Sequence, residues 1–234
     1  MKVARNVDTL SKMGAPERMG HVFKRVRDDG VGAAARHSLD LARAQLYLVE
    51  EHVWYELDLA GERPRRELPE EVRLLRAGDD QLAGAVEMGH RIEEVRARRA
   101  AGNDLWLAED DGGPLFRCWV YRERAPVLAA PGGWLELPAD TVVLEDSATT
   151  ARARGRGIAP GAWTAIADSL RDEGLAHMIT KVGVENEPSR KAVAKSGFRE
   201  VGVMRMVKRG PRKHTTMSGA TPGLGTELAT RLSG

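Results

Sequence analysis

Arg154-Gly155-Arg156-Gly157-Ile158-Ala159 stands between a β-branched run, Thr141 to Thr150, and an apolar stretch at helical spacing, Pro160 to Leu170. Strand, glycine-rich turn and helix, in that order, make a cradle for phosphate. Glycines let the backbone approach a ligand closely, and the first N–H groups of a helix are unpaired donors carrying partial positive charge. Arg-Gly repeats also occur in RNA-binding tails, but those are repetitive and poor in aliphatics. Here Ala159, Trp163, Ile166 and Leu170 follow at once with helical spacing. A Walker-type loop needs a Gly-Lys-Ser/Thr ending and a dinucleotide fold needs G-x-G-x-x-G after its first strand, and the chain has neither.

Working outward, the pattern predicts a strand over Thr141 to Thr149, a helix from Ile158 to about Glu173 and a strand over Met178 to Val184. A helix from Glu187 to Ser196 and a last hairpin from Phe198 to Lys208 follow. Upstream, Val72 to Arg76 reads as a strand, with Asp79 or Asp80 as the cap of a helical pair running from Gln81 to about Ala100. Leu105 to Glu109 and Leu115 to Tyr121 read as strands joined by a turn over Asp110 to Pro114. Residues 125–138 are rich in Pro and Gly and carry Trp134. Alternation over Leu46 to Leu59 predicts one half-buried strand or two short ones, and Gly61 to Arg66 reads as a linker. Residues 1–44 read as a helical arm, and the Gly-, Thr- and Ser-rich segment from Gly210 as a mobile tail.

The loop fits R-x-x-G-x-A and resembles the pyrophosphate-binding loop of the GCN5-related N-acetyltransferases. A second block, Asn186-Glu187-Pro188-Ser189 followed by Lys195-Ser196-Gly197-Phe198, is similar to that family's N-x-x-S and K-x-G-F. The blocks fall in the family's order, with a helix and a strand between them. The resemblance begins near Val72 and runs to residue 208. It implies an α/β (α+β) fold with a mixed, mostly antiparallel sheet flanked by helices. The expected organisation is a 1–71 N-terminal helix and strand extension, a 72–209 acetyltransferase domain and a 210–234 tail. Three roles stay open for the extension: covering the acceptor cleft, mediating a homodimer, or binding a partner.

The activity implied is transfer of the acetyl group of acetyl-CoA directly to a primary amine of a small molecule or protein. Backbone N–H groups around Gly155, Arg156, Gly157, Ile158 and Ala159 would hold the pyrophosphate, with the helix dipole assisting. Arg154 and Arg156 either touch phosphate or are solvated. The preceding strand, through Ser147, Ala148 and Thr149, would pair with the pantetheine arm. Glu145 is the first candidate for the base that takes the amine's proton and Asp146 the second, each against the alternative of a solvated strand residue. Regular alternation puts at most one of the two in the cleft. Asn186 contacts the cofactor or caps the next helix, and Ser189 contacts it or faces the helix start. Many members carry a tyrosine acid seven residues after the asparagine, where this chain has Val193. That departure keeps open a non-catalytic CoA-binding module. A longer acyl-CoA or an acyl-carrier donor is a further alternative.

The rest of the chain narrows the field. A 42% apolar, 30% charged sequence of 234 residues suits a globular protein with a substantial core. The net charge of +2 implies no obligate nucleic-acid partner. Basic residues do gather at the ends, nine Lys/Arg against five Asp/Glu over residues 1–44 and five against none over 205–214. A single cysteine, Cys118, rules out an internal disulfide and reads as a buried thiol. No cluster has zinc-ligand spacing, and His52 and His90 lack a partner at recognisable spacing. Trp106 and Trp134 line an acceptor pocket or pack in the core. Without an eighteen-residue apolar run or a secretion signal, the expectation is a cytoplasmic protein and no membrane contact.

Overall fold

Apolar side chains at every second position build the first strand, β1 (Tyr47–Asp58), in which Val53, Tyr55 and Leu57 are buried. Trp54, on the opposite face, is fully buried as well, so this strand is covered on both sides. The computed structural model describes residues 47–233, and the helical arm expected over 1–44 lies outside them. The chain divides into two compact units, residues 1–50 with 206–214 and residues 51–205 with 215–234. Within the smaller unit the Arg209 guanidinium lies 5.7 Å from the Tyr47 ring centroid. The larger unit carries the candidate site.

The other strands are β2 (Arg73–Arg76), β3 (Asp104–Asp110), β4 (Gly113–Tyr121), β5 (Arg124–Pro126), β6 (Trp134–Glu136), β7 (Thr141–Thr149), β8 (His177–Gly183), β9 (Arg199–Arg209) and β10 (Arg212–Ser218). Eight of them form one sheet in the order β10-β9-β1-β8-β7-β4-β3-β2, while β5 and β6 pair separately. β1 runs antiparallel to β8 from His52↔Gly183 to Asp58↔His177, which makes it an inner strand of the sheet. β7 and β8 are parallel, and the crossover such a pair needs is α3 (Ile158–Asp172). The mixed, mostly antiparallel sheet flanked by helices is the architecture expected from the sequence.

α3 buries Ile158, Ala162, Ile166 and Leu170, four apart along one stripe. They share a core cluster with Phe116, Cys118 and Val120 of β4 and with Val142 and Leu144 of β7. Each large aliphatic side chain so buried contributes roughly 1.5–3 kcal/mol. The helical pair is α1 (Leu82–Glu87) and α2 (Ile92–Ala100). Its lead-in is capped by Gln81, whose Oε1 accepts from the Gly78 N–H at 2.8 Å. Neither Asp79 nor Asp80 takes that role, and Asp79 pairs with Arg99.

Three segments depart from the sequence reading. The expected last hairpin is instead one long strand, β9, which turns at Gly210 into β10. The tail expected from Gly210 carries a strand and a helix, and from Thr215 onward it belongs to the larger unit. The Thr215 hydroxyl donates to the Ala129 carbonyl at 2.7 Å, and α5 (Leu224–Ser233) buries Leu228 and Leu232. Two leucines one turn apart suffice to dock a helix that its Gly/Thr/Ser composition disguised. The linker over Gly61 to Arg66 is a docked strap. Arg63 pairs with Asp168 and donates to the Leu59 carbonyl, and the Arg66 N–H donates to the Thr164 hydroxyl at 3.3 Å. Its path depends on two missing side chains. A Cβ on Gly161 would sit 3.0 Å from the Glu67 carbonyl oxygen, and one on Gly197 would sit 2.9 Å from Pro64.

Candidate active site

β7 and β8 pair through only three rungs, Thr141↔His177, Val142↔Met178 and Val143↔Ile179, and then part. One same-side rung further on, Glu145 and Lys181 form an ion pair at 2.8 Å, both side chains largely buried. On its other flank β7 stays with β4 as far as Phe116↔Thr149, through a register shift between Arg117 and Trp119. Ala148 and Thr149 thus have a strand partner on one side only among the described residues, and Ser147 falls within the register shift. Such an edge can accept an extended chain of amides. The Ser147 hydroxyl also accepts from the Trp163 indole at 3.4 Å.

The register shift changes the reading of the two carboxylates. Asp146 sits at φ 55°, a left-handed conformation typical of a bulge. Alternation is broken there, and Asp146 lands on the same face as Glu145. Glu145 lies opposite Trp119, whose indole is stacked beneath the Arg98 guanidinium of α2. Asp146 reaches Arg98 at 3.2 Å and Arg117 at 3.1 Å, and the latter also donates to the Asp146 carbonyl. Burial by itself would raise the Asp146 carboxyl, but the Arg117 and Arg98 charges outweigh it and hold it below the usual range. Asp146 is therefore a pinned anion.

His90 completes this cluster. Its Nε2 accepts from the Trp119 indole N–H at 3.1 Å, so the proton belongs on Nδ1. Burial, and after it the Arg117 charge, bring the imidazole down to about 4. The 3.4 Å approach of Nε2 to Asp146 is accordingly not an ion pair at neutral pH. Burial also raises the neighbouring Tyr121 phenol, which stays a neutral donor. Cys118, on the opposite face of β4, is fully buried and its thiol is likewise pushed up by burial, which leaves it inert.

At the mouth of α3 the loop has the geometry of an anion cradle. Gly155 and Gly157 adopt φ of 79° and 75°, and a Cβ on either would meet open space. The N–H groups of Gly157, Ile158 and Ala159 have no acceptor among the described residues, and Pro160 ends the run because it has no N–H. Ile158 is buried and anchors the loop. The arginines divide. Arg156 is taken up by Glu71 at 2.8 Å and Asp110 at 3.6 Å, whereas exposed Arg154 has no carboxylate partner among the described residues. Arg152 ties the loop to the β3–β4 turn through Asp110 at 2.8 Å.

The second block forms α4 (Glu187–Lys195), whose start Asn186 caps by accepting from the Ser189 N–H at 3.4 Å. The capping alternative therefore has a bond behind it, while the Asn186 amide nitrogen remains a donor. Val193 is buried in the core cluster that also contains Tyr55, and the Tyr55 hydroxyl accepts from Arg190 at 3.2 Å. Between the strap, α3 and α4 lies a cavity of about 700 Å³ that borders Gly157. Trp106 is buried in the core cluster, and Trp134 is exposed beneath Arg124, 4.9 Å from its ring centroid.

Sequence reasoning passed over Lys181, Arg98, Arg117 and the partner of His90. The only sequence signal available was the interruption of apolar strands by Arg117 and Lys181. Among the described residues no helix is long and apolar enough to cross a membrane.

Comparison with known proteins completes the picture. A GCN5-related N-acetyltransferase from Sphaerobacter thermophilus superposes with a TM-score of 0.50 at 17% identity, over 76% of this chain and 58% of that one. A Drosophila protein superposes with a TM-score of 0.51 at 12% identity, over 77% and 58%. The chain thus spans less than two thirds of the length of either protein, and identities this low carry the fold alone. Curated proteins offer no match. The acetyltransferase (GNAT) family pattern matches residues 44–198, a span that takes in β1, the parted strands, the loop and α4. The chain belongs to the acetyltransferase (GNAT) family.

Proposed function

We propose that this protein transfers the acetyl group of acetyl-CoA directly to a primary amine. The observation that carries this reading is the run of unpaired N–H groups at Gly157, Ile158 and Ala159, on the helix that follows the parted strand β7. A pyrophosphate on those donors is favoured by the helix dipole. From there an extended pantetheine can run along the edge of Ser147, Ala148 and Thr149 toward Glu145.

An alkylamine is protonated at neutral pH and attacks only after losing that proton. Glu145 suits the task better than Asp146, because two guanidinium groups hold Asp146 as a stable anion. The amine nitrogen bonds to the acetyl carbon, the carbon–sulfur bond breaks, and the electron pair leaves with the thiolate. Val193 has no proton to offer, so the thiolate departs as such or is protonated by water.

Calorimetric titration with acetyl-CoA tests the site. Micromolar binding by the wild type, lost in Gly157→Glu, supports it and opens an amine screen by thiol release. No binding by folded wild-type protein overturns it. Binding with no transfer to any amine would instead make the protein a CoA-binding module.

A further inference from the structure

Four side chains line up across one face of the sheet where β7 and β8 part. Trp119 of β4 stands opposite Glu145 of β7, and Trp54 of β1 stands opposite Lys181 of β8. The 2.8 Å ion pair of Glu145 with Lys181 closes the middle of the row. Both tryptophans are fully buried, and the Glu145 and Lys181 side chains are only 17% and 15% exposed. Charges flanked by indole rings and short of water act on one another more strongly than they would in solvent.

The other charges on this face are matched among themselves. Arg98 and Arg117 stand against Asp146 and Glu94, two cations to two anions, and Glu56 of β1 lies 2.8 Å from His177 Nδ1. His90 and Tyr121 are neutral. A change of charge on Glu145 is therefore felt first by Lys181. The free edge of β7 faces β8, so an acyl donor extended along it ends in the gap that the two side chains bridge.

We infer that Lys181 is a second catalytic group, whose ammonium takes over the charge of the departing thiolate as Glu145 takes up the amine's proton. The inference rests on the acyl-CoA reading above and adds a group to its mechanism. While Glu145 is ionised, its carboxylate offsets the ammonium. When the neutral amine attacks, the nitrogen–carbon bond forms and the nitrogen's surplus proton passes to Glu145. The carbon–sulfur bond breaks with its electron pair on sulfur. Glu145 is then uncharged, and the ammonium that it offset faces the thiolate instead. One ion pair replaces another, so the new anion is not left without a counter-charge in a partly buried site. The thiolate leaves, Glu145 gives its proton to water, and the original pair forms again.

The test follows the thiol of bound CoA. Full-length protein is saturated with CoA, and the thiolate absorbance is recorded as pH is raised, with the spectrum of protein alone subtracted. Glu145→Gln puts a neutral carboxamide where the protonated acid would stand. In that variant the thiol should ionise about one to three pH units lower than in Glu145→Gln/Lys181→Met, and lower than in the wild type. Glu145→Gln/Lys181→Arg should keep most of the shift. A thiol that ionises no lower in Glu145→Gln than in the wild type, or no lower than in Glu145→Gln/Lys181→Met, overturns the inference and leaves the acyl-CoA reading standing. A separate measurement uses Lys181→Met alone. Its kcat should fall about 10²- to 10³-fold with acetyl-CoA affinity little changed, and Lys181→Arg should recover most of the loss. An undiminished kcat overturns the inference as well. CoA that fails to bind the wild type overturns the acyl-CoA reading itself, and this inference with it.

Discussion

The Glu145 carboxylate meets the Lys181 ammonium at 2.8 Å, one same-side rung beyond the last backbone pairing of β7 with β8. Side chains bridge the strands where the backbones have begun to separate, so the ion pair stands at the apex of the opening. Glu145→Gln should keep the shape of that apex and remove the base. Thiol-release kinetics should show kcat down by about 10²- to 10⁴-fold, with acetyl-CoA affinity little changed by calorimetry. A loss below about tenfold would take the base role from Glu145.

Asp146 should behave differently. Asp146→Ala strands Arg98 and Arg117 without their shared acceptor, and urea unfolding should show a loss of about 1–3 kcal/mol. Asp146→Ala with unaltered stability and activity reduced as strongly as in Glu145→Gln would reverse the two assignments.

His90 links stability to pH. Its folded imidazole lies at about 4, below the ordinary 6.5, so the unfolded chain takes up a proton first as pH falls. Stability from this group is intact above pH 6.5 and is lost progressively down to about pH 4, by up to about 3 kcal/mol. Asp146, held below its usual range, adds a loss of the same sign at lower pH. His90→Gln, which keeps an acceptor for Trp119, should flatten the decline between pH 6.5 and 4 in chemical denaturation. An unchanged slope would mean that His90 is not held neutral.

Gly197 and Gly174 separate strap docking from backbone strain. Both have left-handed φ, 92° and 89°, so an alanine at either is strained by about 1 kcal/mol or more. Only at Gly197 does the new Cβ also meet a neighbour, Pro64 at 2.9 Å. Gly197→Ala should therefore destabilise by about 1–3 kcal/mol more than Gly174→Ala. Equal losses in thermal unfolding would mean that the strap yields freely.

Much of this was legible in one dimension because it rests on local rules. Helix α3 announces itself by apolar residues four apart, β7 and β8 by β-branched runs, and the loop by glycines at a strand-to-helix turn. These features depend on neighbours a few residues away, and the order of the two motif blocks extended them to a fold. Tertiary packing decided the rest. The bulge that puts Glu145 and Asp146 on one face comes from how β7 is held against β4, so strict alternation misplaced one of them. The tail became a strand and a helix because Leu228 and Leu232 found a core to enter, and the linker became a strap because Gly161 and Gly197 let it approach. Lys181 faces Glu145 across 36 residues of chain and Arg98 faces Asp146 across 48. Spacing along a sequence says nothing of such partners, since only the assembled sheet and the helices packed on it bring their charges together.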